Sequence, residues 1–169
     1  QRTFEALAPD NALRALETIQ DLFGTSRAIP EPGERLEVPP AEPDEIRQVR
    51  DDAAAVLDEL NRFRSGLGLS ALLEVSPMTD VAEGRATEMY TSGTLFLTPD
   101  CFRDLSGSGV RAAACGETVA LAGTALGALD GMIEDANAEA DLSSPLFDRA
   151  GISVTEGPTG RLVVIVLGG

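Results

Sequence analysis

The sequence contains no histidine, no lysine and no tryptophan, and all thirteen of its basic residues are arginine. Without histidine, catalysis by a Ser-His-Asp or Cys-His arrangement is excluded, and so is an imidazole metal site. Without lysine, a Schiff base, a Ser-Lys pair and a P-loop lysine are excluded. Carboxylates, hydroxyls, arginines, two cysteines and Tyr90 are the groups left for chemistry.

Cations are also scarce, with 28 acidic against 13 basic residues and a net charge of −15. This balance argues against nucleic acid and against an anionic membrane surface, because both require clustered cations. A net charge of this size usually serves to keep a protein soluble, and the alternative role is diffuse binding of hydrated cations. The longest apolar run, 162–167, is far too short to span a membrane.

Length predicts one domain, with room for an additional arm. A chain of 169 residues buries roughly 70% of the surface that its unfolded form exposes, so it needs no metal to fold. It begins at Gln1 without a signal-like segment. We therefore expect a processed or trimmed N-terminus, and whether a signal or anchor precedes Gln1 stays open.

Two cysteines, Cys101 and Cys115, lie close together in a stretch that resembles a loop. Their spacing predicts a disulfide and an extracytoplasmic location, whether secreted, periplasmic or at the cell surface. Closing a loop of about 15 residues contributes roughly 3 kcal/mol in the chain-entropy account. The alternative is a pair of free, buried thiols.

The N-terminal part, residues 1–44, holds six of the ten prolines. Residues 11–23 are predicted to form a helix capped by Asp10, and residues 28–44 an extended tether with a reach of roughly 50 Å. The helix could dock to a partner protein, including one in a membrane or envelope complex, or pack on its own domain. Its apolar stripe consists of Leu13, Leu16, Ile19, Leu22 and Phe23.

Residues 45–169 show regular periodicities and are predicted to form the main domain. Apolar spacing of three and four predicts helices over 45–65, 76–92 and 124–137. Strands are expected over 118–122, 151–155 and 161–167, with a hairpin turn at 157–160, whereas 94–114 is expected to be irregular. Helices followed by an antiparallel hairpin indicate an α+β fold.

Four segments in this order resemble the CAP superfamily of cysteine-rich secretory, antigen 5 and pathogenesis-related proteins, most closely its bacterial secreted members. Residues 57–67 resemble the family's opening helix, which runs into N-x-x-R-x-x-x-G-L, and residues 81–89 resemble its A-x-x-x-A-x-x-M helix. Residues 115–119 are similar to C/A-G-E-N-I, and 145–154 to N-P-x-F-x-x-I-G-V. The resemblance implies a three-layer α-β-α sandwich with a small antiparallel sheet, preceded by the helical and proline-rich arm.

The departures from the family pattern concern its cleft, where two histidines and two acidic residues can hold a divalent metal. Only Glu117 is retained, and the second acidic residue cannot be placed, although Asp100 and Asp104 are candidates. We therefore expect a cleft without metal or cofactor that is more apolar than usual in the family. The residues at the corresponding positions are Leu97 and Ala138 for the histidines, and Thr118 and Asp141 for two asparagines.

Two classes of function follow. The first is a non-enzymatic extracytoplasmic module that binds a protein partner or a small apolar ligand, since some family members bind lipids or sterols. The second is a hydrolase of cell-wall glycan that uses Glu117 with Asp104 or Asp141. Glu117 also has a structural interpretation, as a buried carboxylate that accepts backbone N–H groups and fixes the loop before its strand.

Overall fold

A computed structural model describes residues 27–169 of the chain. The predicted helix over 11–23, with its stripe of Leu13, Leu16, Ile19, Leu22 and Phe23, lies outside the described residues. Its docking to a partner stays a prediction.

A five-stranded, mostly antiparallel sheet forms the centre of the domain. Its main order is β2 (Arg47–Gln48), β6 (Arg149–Gly157), β7 (Gly160–Gly168) and β5 (Cys115–Ala122). β3 (Leu73–Glu74) pairs in parallel with the start of β6, on the same edge as β2. A separate two-stranded sheet joins β1 (Leu36–Glu37) to β4 (Thr94–Leu95).

Five α-helices cover the sheet in the described part of the chain. They are α1 (Arg50–Gly66), α2 (Ser76–Ser92), α3 (Cys101–Gly107), α4 (Ala125–Glu134) and α5 (Ala136–Leu142). α2 ends as predicted at Gly93, which adopts a positive φ of 70°. A Cβ at Gly93 would also collide with the Val38 carbonyl, so this helix stop fits only glycine.

Alternate residues of each central strand enter two different cores. In β7, Val163, Ile165 and Leu167 pack with α1, α4 and α5, whereas Leu162, Val164 and Val166 pack with α2. Covering both faces explains the unbroken apolar run 162–167 in an antiparallel strand, since neither face is left for polar residues. The predicted α+β fold with three α-β-α layers is confirmed.

Helix boundaries differ from the periodicity-based expectation at three places. Residues 47–48 pair with β6, so the first helix begins at Arg50 rather than at 45. The stretch 94–114 is not wholly irregular, because it contains β4 and α3. The helix expected over 124–137 breaks at Asp135, whose carboxylate caps the following helix by accepting the N–H groups of Asn137 and Ala138.

The proline-rich segment packs against the domain, so the expectation of a free tether is wrong for residues 28–44. The Ala28 and Leu121 backbones exchange two hydrogen bonds of 2.9 Å, and the Val38 and Ala41 N–H groups donate to Gly93 and Tyr90 carbonyls. The prolines lack a donor, but several residues between them, including Val38 and Ala41, donate theirs, and Ala28, Val38 and Ala41 are buried. A reach of roughly 50 Å therefore does not apply to this segment.

Two residues of the N-x-x-R pattern hold the backbone together. The Asn61 side chain exchanges two hydrogen bonds with the Leu72 backbone. The Arg64 side chain is 1% exposed and donates to four backbone carbonyls. The part of the resemblance that covers α1 thus rests on residues with a structural role.

Candidate binding cleft

A cavity of about 230 Å³ lies at the β5 edge of the sheet, between the two helical layers. β5, the loop after β4, α5 and residues 29–32 form its walls. All five residues predicted for the degenerate family cleft contribute to its lining: Leu97, Glu117, Thr118, Ala138 and Asp141. The positions predicted to replace the family's histidines and asparagines therefore line one cavity.

The carboxylate of Glu117 is held by an arginine that the sequence patterns did not single out. Arg85, on α2, makes a two-point ion pair with Glu117, with Nε–Oε2 of 3.1 Å and Nη2–Oε1 of 3.0 Å. The Thr98 N–H donates a third hydrogen bond to Oε1 at 3.0 Å. Only 2% of the Glu117 side chain is exposed. This arrangement agrees with the structural interpretation of Glu117, which fixes the loop after β4.

Arg85 is itself saturated with partners. Besides Glu117, it donates to the Phe96 carbonyl at 2.7 Å and to Glu88 at 3.2 Å, and it stacks 4.5 Å from the centre of the Phe96 ring. The sequence does contain a signal that Arg85 pairs with a buried carboxylate. Arg85 lies among Ala82, Ala86 and Met89 on the buried face of an amphipathic helix, where an unpaired cation would be costly.

Burial and pairing act in opposite directions on this pair. Burial raises the pKa of the Glu117 carboxyl above its usual range, although the Arg85 hydrogen bond and charge and the Thr98 N–H oppose the rise. Burial alone would lower the pKa of Arg85, but the hydrogen bond and charge of Glu117 leave it raised. The two-point geometry favours the ionised pair, because a carboxylate accepts two parallel N–H groups far better than a neutral acid does.

The other cleft residues offer little chemistry toward the cavity. The Thr118 hydroxyl is buried and donates to the sulfur of Met132 at 3.4 Å, on the opposite face of β5 from Glu117. Leu97 and Ala138 are apolar. Asp141 is half-buried, and burial raises the pKa of its carboxyl. No residue of 27–169 forms an ion pair or a side-chain hydrogen bond with it.

A larger cavity of about 540 Å³ lies on the other side of Leu97 and contains the two remaining acidic candidates. Asp104 accepts a 2.6 Å hydrogen bond from the Thr98 hydroxyl, and Asp100 caps α3 by accepting from the Arg103 N–H. Neither lines the 230 Å³ cavity with Glu117. Over the described range, no three acidic or cysteine side chains are grouped as a metal ion would require.

A disulfide joins Cys101 and Cys115, as predicted, with a Cα–Cα distance of 6.1 Å. It connects the first residue of α3 to the first residue of β5, two positions before Glu117. The disulfide therefore holds the start of β5 next to α3, the helix that contains Asp104. Asp104 in turn accepts a hydrogen bond from Thr98.

Comparison with solved structures confirms the resemblance at the level of the fold. A cysteine-rich secretory protein from Staphylococcus aureus subsp. aureus Mu50 superposes with a TM-score of 0.62 at 17% identity over 71% of this chain. An extracellular protein containing an SCP domain from Bacillus anthracis str. Ames gives 0.63 at 20% identity over 77%. An outer surface protein from Borrelia burgdorferi gives 0.67 at 14% identity over 72%.

Sequence comparison alone finds no such likeness, since no protein-family model and no curated protein matches. The matched region spans 39% of the staphylococcal and 44% of the Bacillus chain, but 96% of the Borrelia chain. The shared CAP fold is therefore established by the structure. Within residues 27–169, no helix combines the length and apolarity that crossing a bilayer requires.

Proposed function

We propose that this protein is a non-enzymatic CAP-like module that works outside the cytoplasm, as a binding or structural component with a protein partner in the cell envelope. Its structural neighbours are described as secretory, extracellular and outer-surface proteins. The disulfide supports the same compartment, because structural disulfides persist in oxidising surroundings.

The Arg85–Glu117 pair carries this proposal. Both oxygens of the one retained cleft carboxylate already accept hydrogen bonds, and a guanidinium supplies its counter-charge. A metal ion would have to displace Arg85, leaving this buried cation with only the exposed carboxylate of Glu88 as its counter-charge, at a cost of several kcal/mol. The neighbouring positions, Leu97 and Ala138, offer no lone pair in exchange.

The same pair argues against hydrolysis. A glycosidase requires two carboxyl groups about 5 to 9.5 Å apart that both reach the glycosidic bond. Asp104 lines a different cavity, and although Asp141 lines the same one, the Glu117 side chain is only 2% exposed and both its oxygens are occupied, so it does not reach a substrate. The cleft also suits a lipid poorly, since its volume of about 230 Å³ is below the roughly 300–1,000 Å³ typical of ligand pockets.

Zinc titration by calorimetry tests the loss of the metal site. The native protein should show no site tighter than about 10 μM, because carboxylates without imidazole bind zinc weakly. A variant with Leu97→His and Ala138→His should stay weak while Arg85 holds Glu117. Adding Arg85→Gln to that variant should produce measurable binding. Tight, stoichiometric zinc on the native protein would refute the proposal.

An assay on cell-wall glycan tests the absence of hydrolysis. Native protein and Glu117→Gln should be equally inactive, and circular dichroism should show that the variant is folded. Turnover by the native protein that Glu117→Gln abolishes would favour the hydrolase instead.

The partner is tested with the part of the arm that precedes the packed segment. Co-purification from native membranes should identify an envelope protein, and deletion of residues 1–26 should remove it without changing the melting temperature. A partner that stays bound after the deletion would place the docking surface on residues 27–169.

A further inference from the structure

A cavity of about 280 Å³ lies at the opposite edge of the sheet, beside β6 and between α1 and α2. Its walls are the first turns of the two helices, and its floor is the middle of β6. It shares no lining residue with the cleft around Glu117. The resemblance to the family did not point to this cavity.

The floor of the cavity is an interrupted sheet edge. β2 and β3 approach β6 from its two ends, and each turns into a helix before they meet. The last bonds on either side are Val49 N–H to the Val154 carbonyl at 2.8 Å and Val75 N–H to the Ala150 carbonyl at 3.0 Å. These two carbonyls are four residue steps apart along the strand, or about 13 Å.

Ile152 lies on β6 between Ala150 and Val154, and its backbone N–H and C=O point to the same edge of the sheet as the carbonyls of those two residues. In an antiparallel strand, the N–H and C=O of one residue point to the same side and alternate from one residue to the next. The Asp148, Ala150 and Val154 carbonyls accept bonds on this outer edge, so Ile152 also presents its donor and acceptor there. Among residues 27–169, none bonds to either group, although Ile152 is only 5% exposed.

The rim of the cavity is acidic. Among the described residues, Glu74, Asp80 and Glu83 line it against one cation, Arg50. Arg50 pairs with Glu83 at 3.5 Å, but its own side chain is 81% exposed, so the pair neutralises the rim only weakly. Asp80 is exposed and has no ion-pair partner in the described chain.

We propose that this cavity binds a short, extended, basic peptide segment. One peptide residue pairs with the N–H and C=O of Ile152, completing the sheet edge between β2 and β3. A neighbouring lysine or arginine side chain of the peptide lies against Asp80 and Glu83. Main-chain pairing provides the binding free energy common to added strands, and the acidic rim provides the preference for a basic sequence. This inference does not rest on the proposed function.

Hydrogen exchange of the free protein tests the unpaired edge first. The Ile152 amide should exchange at least about tenfold faster than those of Gly151 and Ser153, whose N–H groups face β7. Equal protection of the three amides would mean that Ile152 is already paired, and would overturn the proposal.

Peptide titration followed by NMR tests the ligand class, with acetyl-Ala-Lys-Ala-amide as the probe. The amide signals of Ile152 and Val154 should shift with the lysine peptide, and less with the glutamate analogue. Asp80→Asn should weaken binding about threefold to fivefold, the range of one exposed ion pair. Asp58→Asn, which removes an exposed carboxylate of α1 outside the cavity, should leave affinity unchanged.

A blocking variant makes the result specific to the cavity. Ala54 is exposed on α1 and lines the cavity, so Ala54→Trp should fill it without disturbing the core and should abolish the shifts. Equal binding of the lysine and glutamate peptides, binding that survives Ala54→Trp, or no shift at millimolar peptide would each overturn the proposal.

Discussion

Replacing the buried Arg64 by methionine should destabilise the domain severely. The guanidinium donates to the carbonyls of Ser70, Leu142, Ser144 and Phe147 at distances of 2.9–3.0 Å. These carbonyls belong to the turn after α1, to the last residue of α5 and to the segment that follows it. One side chain therefore connects three parts of the chain that share no strand pairing.

The size of the effect follows from how many acceptors lose their partner. The bonds to the Leu142 and Phe147 carbonyls are fully buried, whereas those to Ser70 and Ser144 are partly buried, and their acceptors can bind water instead. An unsatisfied buried acceptor costs about 1–3 kcal/mol, so the two buried carbonyls together cost about 2–6 kcal/mol. For a domain of this size, that loss lowers the melting temperature by roughly 5–20 °C.

Urea and thermal unfolding followed by circular dichroism would measure the loss. Arg64→Lys should fall between the native protein and the methionine variant, because an ammonium keeps the charge but cannot reach four carbonyls with one planar fork. Arg62→Met is the control. Its side chain is exposed and, within residues 27–169, pairs with Glu59 alone, so the substitution should cost less than about 0.5 kcal/mol. A loss below about 1 kcal/mol for Arg64→Met would refute the reasoning.

Three further predictions have defined outcomes in the same unfolding measurements. Gly151→Ala would place a Cβ within the backbone of α2 and should cost about 3 kcal/mol or more of stability. Gly84→Ala has open space around it and should stabilise α2 by about 0.5–1 kcal/mol. Similar effects of the two substitutions would contradict the packing of β6 against α2. Replacing Cys101 and Cys115 by serine should cost roughly 3 kcal/mol, and alkylation of unreduced native protein should find no free thiol; two reactive thiols would disprove the disulfide. Tyr90→Phe should cost about 1 kcal/mol, since the hydroxyl bonds to Thr159 and Gly160 in the hairpin turn; an unchanged stability would show that the turn does not depend on it.

Local patterns predicted those elements whose apolar spacing is uninterrupted. The helix of α2 and the hairpin of β6 and β7 were predicted with the correct type and nearly correct bounds. The start of α1 was not, because Ile46 and Val49 fit a helical stripe as well as an edge strand. Pairing of Arg47 and Gln48 with β6, a contact over more than 100 residues, decides between them.

The cleft was predicted only in part, because its contacts also join residues that are far apart in the sequence. Comparison of the residue order with the family pattern predicted the five cleft positions, of which Glu117 is one. It gave no information on which cation would face the Glu117 carboxylate. The Pro-rich segment was misinterpreted because its composition is that of a linker. Its packing depends on isolated residues such as Ala28 and Val38, which periodicity cannot detect.

The strand order has a consequence for the sequence of events in biosynthesis. β7 lies between β5 and β6 in the sheet, yet it is the last of the three to leave the ribosome. While α4, α5 and β6 emerge, β5 has no neighbour in the main sheet, so vectorial synthesis cannot build the sheet strand by strand. Such non-local pairing is slow, on the scale of milliseconds to seconds. The central sheet therefore cannot close until residues 160–168 have been translated, and every contact between β5 and β6 waits for the last strand of the chain.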